Sequence, residues 1–440
     1  MSNVFATYRE ALDYLFHFTD YERMHRVKKA TSLFGLSRMN ELLEWCGNPH
    51  LKLRAVHIAG TKGKGSTAAM IASILRQTGR KVGLYTSPHL TDIRERIDVN
   101  GMWIPEADVT RILNRLHPYL VVAERGGDTY APTFFETFTV ISFLYFLEQQ
   151  VDVAVVEVGL GGRLDATNVL RPEVCAITPI SRDHTEKLGD EIAEIAWEKA
   201  GIIKSGVPVV SGVQQPEALE VIRARCAELG SPLHAVGADI AMGPERNGTF
   251  AVRTWRRAIG GLTVPLVGRH QQENAATAIG IAEVLAERGL DVSDECVRRG
   301  LAEVHWPGRI QTVATEPEII VDGAHNPASI AVLVEALAAM PKKRTIFIVG
   351  IARDKEIRAM VELLAPHGDR FIVTKTANPR AAEPEELRAA IESVAPQKMA
   401  LVAESPAAAL RIARDRVGPA DRIVATGSMY LAGDVLTALR

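Results

Sequence analysis

At 440 residues the chain exceeds one ordinary hydrophobic core, so two domains are expected. A hydrophobic content of 47%, a charged content of 24% and a formal charge of −2 describe a soluble globular protein and argue against a nucleic-acid footprint or a membrane-surface patch. No apolar run approaches the roughly 18 residues of a spanning helix, the first residues lack a signal layout, and Cys46, Cys175, Cys226 and Cys296 have no metal spacing, so they read as reduced thiols of a cytoplasmic enzyme.

In chain order, apolar positions at helical spacing predict helices over 7–17 and 36–46, with a basic loop from Arg23 to Lys29 between them. A strand over 55–59 then breaks into Gly60-Thr-Lys-Gly-Lys-Gly-Ser66 and a helix over 66–77. Strand, glycine-rich loop and helix in that order make a phosphate cradle: Gly60, Gly63 and Gly65 let backbone N–H groups turn inward, and Lys64 adds a mobile charge. Gly65 between Lys64 and Ser66, and Ile58 where a first glycine is usual, depart from the general pattern. A strand over 81–85 runs into a polar loop over 86–99, in which Pro88 stops strand pairing. Helices follow over 106–124 and 134–148, then buried strands over 151–158 and 174–178, and a helix from a cap at Asp190 to Ala200. The middle, 207–265, alternates short strands with a helix over 216–229, and helices follow over 271–288 and 293–300. The stiff segment His305-Trp-Pro-Gly-Arg-Ile310 marks the boundary between a domain over 1–304 and one over 305–440. Beyond it, strands at 318–322, 345–350, 370–375, 398–403 and 422–427 alternate with helices, as in a second parallel α/β sheet.

Several residues carry chemistry in this layout. Glu157 ends a buried strand, where a carboxylate needs a cation; magnesium fits, and a structural ion pair is the alternative. Ser87 is either an oxygen ligand or a turn serine, and His184 is either a metal or phosphate contact or a capping histidine. Lys199, in the last turn of its helix, reads from pattern alone as a partner of the helix dipole. Asp322 suits a ribose hydroxyl, His325 a phosphate or base, and Asn326 a helix cap. Arg309 offers a fixed charge near both domains, suited to a phosphate that gains charge in a transition state.

With these segments the chain resembles the folylpolyglutamate synthase/dihydrofolate synthase family, within the Mur ligase superfamily. The matching pieces are Gly60–Ser66, Thr86-Ser-Pro-His-Leu90, Phe135-Glu136, Glu157-Val-Gly-Leu-Gly-Gly-Arg-Leu-Asp-Ala-Thr-Asn168, Asp183-His-Thr185, Glu198-Lys-Ala-Gly201, Asn274-Ala-Ala-Thr277, Pro307-Gly-Arg309, Asp322-Gly-Ala-His-Asn-Pro327 and Thr426-Gly-Ser428, in family order. The resemblance implies an α/β protein in which a P-loop ATPase-type, mainly parallel sheet domain precedes a smaller Rossmann-like α/β domain. It implies an ATP-dependent acid–amino-acid ligase, a monomer that acts on small molecules (ATP, L-glutamate and a reduced folate or dihydropteroate), with no nucleic acid or membrane as partner. Gly60, Thr61, Lys62, Gly63, Lys64, Gly65 and Ser66 then hold the ATP phosphates together with Arg309; Asn274, Asp322 and His325 hold the nucleoside. Ser87, Glu157 and His184 take one magnesium, and Lys199, carbamylated by carbon dioxide, takes a second, which reverses the reading from pattern alone. Thr133, Phe134, Phe135, Glu136, Leu164, Asp165 and Ala166 face the pterin. The reaction so implied runs through an acyl phosphate, with Lys64, His184, Lys199 and Arg309 around the reacting groups. Two positions depart from the family: Lys62 replaces a common Asn, and Phe34 stands where relatives that also make dihydrofolate can carry Asp, which leaves dihydropteroate open as a second substrate. A Mur ligase acting on a nucleotide sugar, and a nucleotide-switched binding protein without ligase chemistry, are the rival readings.

Overall fold

Strand β1 (Ala55–Ala59) is buried at every residue and lies at the centre of the first sheet. The computed structural model describes residues 4–19, 35–127, 130–182, 189, 191–244 and 248–440. The other strands of this sheet are β2 (Val82–Tyr85), β3 (Ile97–Val99), β4 (Met102–Trp103), β5 (Val153–Glu157), β6 (Val174–Ile177), β7 (Val209–Ser211) and β8 (Leu233–Ala235), in the order β4-β3-β2-β5-β1-β6-β7-β8. From β2 to β8 every pairing is parallel, whereas β3 and β4 add an antiparallel hairpin at one edge. That hairpin departs from the expected loop. Its turn is Asn100-Gly101, with φ of 54° and 88°, the left-handed pair that a two-residue hairpin turn demands.

Alternation along β1 and β5 assigns the two faces. Val56, Ile58, Val153 and Val155 face the helix Lys64–Arg76, which packs on the helix Arg269–Glu287. Ala55, Ala154 and Val156 face the helices Glu106–Arg125 and Phe134–Glu148, the latter apolar nearly all round and buried accordingly. The helix after the cradle begins two residues earlier than expected, at Lys64, because Gly63 takes a left-handed φ of 80° as its N-cap. A three-stranded sheet, β9 (Ala241–Met242), β10 (Phe250–Arg253) and β11 (Ala258–Leu262), covers one flank.

The last sheet contains β12 (Gln311–Thr315), β13 (Glu318–Val321), β14 (Thr345–Val349), β15 (Arg370–Val373), β16 (Ala400–Val402) and β17 (Arg422–Thr426), in the order β12-β13-β17-β14-β15-β16. It is parallel except for β12, an antiparallel edge strand that the sequence reading did not anticipate. The helices and strands expected beyond residue 317 are all present. None of the described helices is long and apolar enough to cross a membrane.

The loop after β2 joins the two halves. Leu90 belongs to the core of the last sheet, and its carbonyl approaches Gly433 so closely that a Cβ there would lie 1.9 Å from the oxygen. Gly433→Ala is therefore expected to destabilise the protein by about 2 kcal/mol through overpacking, measured as a lower denaturation midpoint.

Candidate functional site

Parallel pairing puts the carboxyl ends of β2, β5, β1 and β6 on one edge, where ligands of open α/β sheets bind. Register sets the details: Ile58 lies opposite Glu157, Tyr85 opposite Val156 and Ala59 opposite Ile177. The cradle, Ser87, Glu157 and Thr178 therefore share that edge.

The cradle is fixed from below. The N–H groups of Thr61 and Lys62 both donate to the Pro179 carbonyl at 3.0 Å, and Thr61 Oγ1 donates to the Ser181 carbonyl. These two amides are taken up in holding the loop in shape. Helix geometry gives the N–H groups of Lys64, Gly65 and Ser66 no intrahelical acceptor and adds a positive dipole end. The glycines are contact points as much as hinges. A Cβ on Gly63 would lie 2.2 Å from Asn274 Oδ1, and one on Gly65 would lie 2.9 Å from the Trp306 ring and 3.4 Å from Glu157 Oε2.

Glu157 is 4% exposed, and its Oε2 accepts the Ser87 N–H at 3.2 Å. Burial raises its pKa; the Lys64 charge is foremost among the groups that oppose this, followed by the Ser87 N–H, Arg309 and Arg96. Among the described residues no three His, Cys, Asp or Glu side chains form a complete metal cage. One buried carboxylate and one serine beside a phosphate cradle nevertheless suit magnesium, which usually takes one or two carboxylates and fills its remaining positions with water and phosphate oxygens. His184, with Asp183, Thr185 and Asp190, lies outside the described residues, as do the Arg23–Lys29 loop and Phe34.

The second half brings Arg309 to this edge. Its Nη1 lies 3.1 Å from Met429 Sδ, and its charge acts on Glu157, Asp322 and His270. Asp322 is buried at the end of β13; its Oδ2 accepts the Ile310 N–H and its Oδ1 the Ala324 N–H, both at 2.9 Å. Ile310 has a φ of 45°, a left-handed conformation that a β-branched residue adopts only under constraint. Asp322 supplies that constraint and so sets the backbone next to Arg309. Burial raises the Asp322 pKa, opposed first by Arg309. His325 places Nδ1 3.0 Å from the Gly323 carbonyl, and Asn326 caps the helix Pro327–Ala339 through Ser329. A cavity of about 640 Å³ runs between the sheets, with Gly65, Ser87, Glu157, Trp306, Arg309 and Met429 in its wall.

Asn274 is 3% exposed, and its Nδ2 donates to Gln271 Oε1. His270, one turn earlier on the same helix face, was not anticipated; burial, and then Arg309, lower its pKa to about 4, so the ring is neutral. Its spacing of four residues from Asn274 is the signal that could have found it. Trp306, read only as part of a stiff connector, packs on Gly65. Lys199 is 4% exposed in the last turn of the helix Ile192–Ala200, behind Gly162, whose added Cβ would lie 3.0 Å from the Lys199 Cα.

The residues expected to face a pterin form adjoining walls. Thr133 caps the helix Phe134–Glu148 through a reciprocal bond with Glu136, and Glu136 also forms a buried ion pair with Arg38 at 3.1 Å. Phe134 stacks between Phe16 and Phe138 under the Arg96 guanidinium. The Phe135 ring meets Gly159, where a Cβ would lie 2.5 Å away. From Gly159 the chain leads through half-buried Leu164 to Asp165 and Ala166, both buried.

Comparison with known proteins gives this geometry its context. The Mur ligase middle domain matches residues 58–282, and the Mur ligase glutamate ligase domain matches residues 308–429. The chain is 36% identical over 413 residues to the dihydrofolate synthase/folylpolyglutamate synthase of Bacillus subtilis, a match that covers 92% of this chain and 95% of that one. Escherichia coli FolC in complex with DHPP and ADP superimposes with a TM-score of 0.86 at 31% identity, covering 100% of this chain and 99% of that one. A bifunctional folylpolyglutamate synthase/dihydrofolate synthase with Mn, AMPPNP and L-glutamate bound gives a TM-score of 0.85 at 31% identity, with the same coverage. With both halves of the crevice matched, the chain belongs to the folylpolyglutamate synthase/dihydrofolate synthase family of Mur ligases and is an ATP-dependent acid–amino-acid ligase.

Proposed function

We propose that this chain joins L-glutamate to the carboxylate of a reduced folate, and to that of dihydropteroate as a second substrate, at the expense of ATP. The observation that carries this reading is the meeting of Lys64, Glu157 and the Ser87 N–H on one sheet edge with Arg309 from the other half. A carboxylate is a poor electrophile. Its oxygen attacks the γ-phosphorus of ATP, the bond to the β–γ bridging oxygen breaks, and ADP leaves an acyl phosphate. The glutamate amine then attacks the activated carbonyl, an amide bond forms, and phosphate departs as the nitrogen loses a proton. Lys64 and Arg309 spread the charge that grows on the transferring phosphoryl group, and the helix N-terminus holds the phosphates it leaves behind. Magnesium, held by Glu157 and Ser87 with His184, would neutralise phosphate charge.

Asn274, Asp322 and His325 take the nucleoside in this reading; it is supported by Asn274 lying against Gly63 and Asp322 lying beside Arg309. Residues 133–136 and 164–166 take the pterin, supported by the contact of Phe135 with Gly159. Carbamylated Lys199 takes a second magnesium, supported by the match of Glu198-Lys-Ala-Gly201 to the family pattern. The chain acts as a cytoplasmic monomer. Docking of Leu90 against Gly433 draws the halves together and keeps water from the acyl phosphate.

The test is ADP release by the purified protein. Release is expected with a reduced folate plus glutamate, and separately with dihydropteroate plus glutamate, but not with muramyl substrates. No folate-dependent release would sink the assignment, and an ATPase indifferent to folate and glutamate would favour a nucleotide switch.

A further inference from the structure

His57 lies on β1, three residues before Gly60, and is fully buried on the face away from the cradle helix. Its Nε2 is 2.8 Å from Thr167 Oγ1, 110 residues further along the chain. Thr167 Oγ1 in turn donates to Asp165 Oδ1, which also accepts the Thr167 N–H at 3.0 Å. Asp165 Oδ2 accepts the Leu160 N–H at 2.9 Å, and the Gly159 N–H also bonds this carboxylate.

Proton accounting fixes the direction of this chain. Burial raises the Asp165 pKa, opposed first by the Leu160 N–H and also by the N–H groups of Thr167 and Gly159; these three backbone groups can only donate, which favours the ionised carboxylate that only accepts. The Thr167 hydroxyl proton therefore points at Asp165, and its lone pair faces His57, which must carry its proton on Nε2. His57 Nδ1 is then an unprotonated nitrogen, buried and without a hydrogen-bond partner among the described residues. Burial, and then the Lys204 charge, lower the imidazole pKa to about 3, in keeping with a ring that stays neutral.

The far side of the same loop is pinned as well. Asn168 Nδ2 donates to the Arg163 and Gly201 carbonyls, and Asn168 Oδ1 accepts from Lys204. The Gly159–Asn168 loop thus hangs between β1, which carries the phosphate cradle, and the Glu198–Gly201 segment.

We propose that His57 is a positioning residue: through Thr167 and Asp165 it holds the loop at Leu164–Ala166 in the shape that receives the acceptor substrate, tying that loop to the strand that grips ATP. This rests on the reading that residues 164–166 contact the folate.

Three variants of the full chain test it, with KM for folate and for ATP read from ADP release. His57→Leu and Thr167→Val are each expected to raise the folate KM about tenfold while the ATP KM stays within about twofold. The double variant is expected to be no worse than the worse single variant, since both break one relay. His57→Gln, which can keep an N–H near the Nε2 position, is expected to recover most of the loss. Equal changes in both KM values, or additive effects, would overturn the proposal in favour of general destabilisation. Two further readouts need no substrate. The His57 ring nitrogens, observed by NMR, are expected to report the Nε2–H tautomer, and the Leu160 and Thr167 amides are expected to exchange faster in His57→Leu. An Nδ1–H tautomer or unchanged exchange would overturn the relay even if the wild-type protein lacked folate-dependent ADP release, a result that would by itself defeat only the reading of the substrate.

Discussion

Lys64→Ala is expected to lower kcat/KM for ADP formation by about 10³-fold and to leave the denaturation midpoint within about 2 °C of wild type. The two halves of this expectation have separate causes. Lys64 opens the helix Lys64–Arg76, is only half-buried, and is the foremost cation acting on Glu157. Alanine has the higher helix propensity and removes no methylene from a core, and Glu157 keeps the Ser87 N–H, Arg309 and Arg96 when the Lys64 charge is lost, so the fold loses little. Chemistry loses the flexible charge at the head of the cradle helix, at the point where negative charge concentrates as the γ-phosphoryl group moves. Lys64→Arg is expected to fail almost as badly. The broad guanidinium fork needs room that the loop does not have, with Asn274 against Gly63 and Trp306 against Gly65. Steady-state kinetics with a reduced folate and glutamate check both variants, and a fall of less than tenfold in Lys64→Ala would remove Lys64 from the phosphate site.

Much of this candidate site could be picked out before any fold was known, because its parts are local in sequence. Strand, glycines, lysine and helix are contiguous in the cradle, and Glu157 follows four apolar residues that can only be a buried strand. The alternation after residue 317 likewise fixed the second sheet. What escaped depended on partners distant in sequence. The edge strands β3, β4 and β12 are antiparallel and lack the apolar run that marked β1 and β5; β3 and β4 are also short, and β12 is the mostly polar Gln311–Thr315. The Asn100-Gly101 turn did signal the first pair. No local pattern distinguishes His57 from any other polar residue in a buried strand; its partner is fixed only when Thr167 folds beneath β1. The cap at Gly63, the hold of Pro179 on two cradle amides and the stacking of Trp306 over Gly65 are equally invisible in sequence. Asp322 could be singled out in the sequence as a candidate, but not as the acceptor that restrains Ile310 at a positive φ beside Arg309.

Glu157→Gln is expected to separate function from stability in opposite directions. Activity should fall by about 10³-fold, and the rise in denaturation midpoint on adding ATP with magnesium should vanish. The ligand-free protein should melt at the same temperature as wild type or higher. Glu157 is 4% exposed, and burial is the largest influence on its ionisation. A charge in such a place is costly to the fold unless a cation repays it, and Lys64 and Arg309, both proposed to face the phosphates as well, do so only in part. Glutamine keeps the shape, and its carbonyl oxygen can still accept the Ser87 N–H, so the packing against Gly65 survives. It cannot supply the negative oxygen that a hard divalent cation needs beside a triphosphate. The two explanations of a buried carboxylate therefore part company. A structural ion-pair partner would lose stability on substitution and keep much of its activity, because removing one member strands the other. A ligand kept for function would do the reverse. Calorimetry of the ligand-free variant alongside its ADP release decides between them, and a lower midpoint with activity retained would move Glu157 out of the active site.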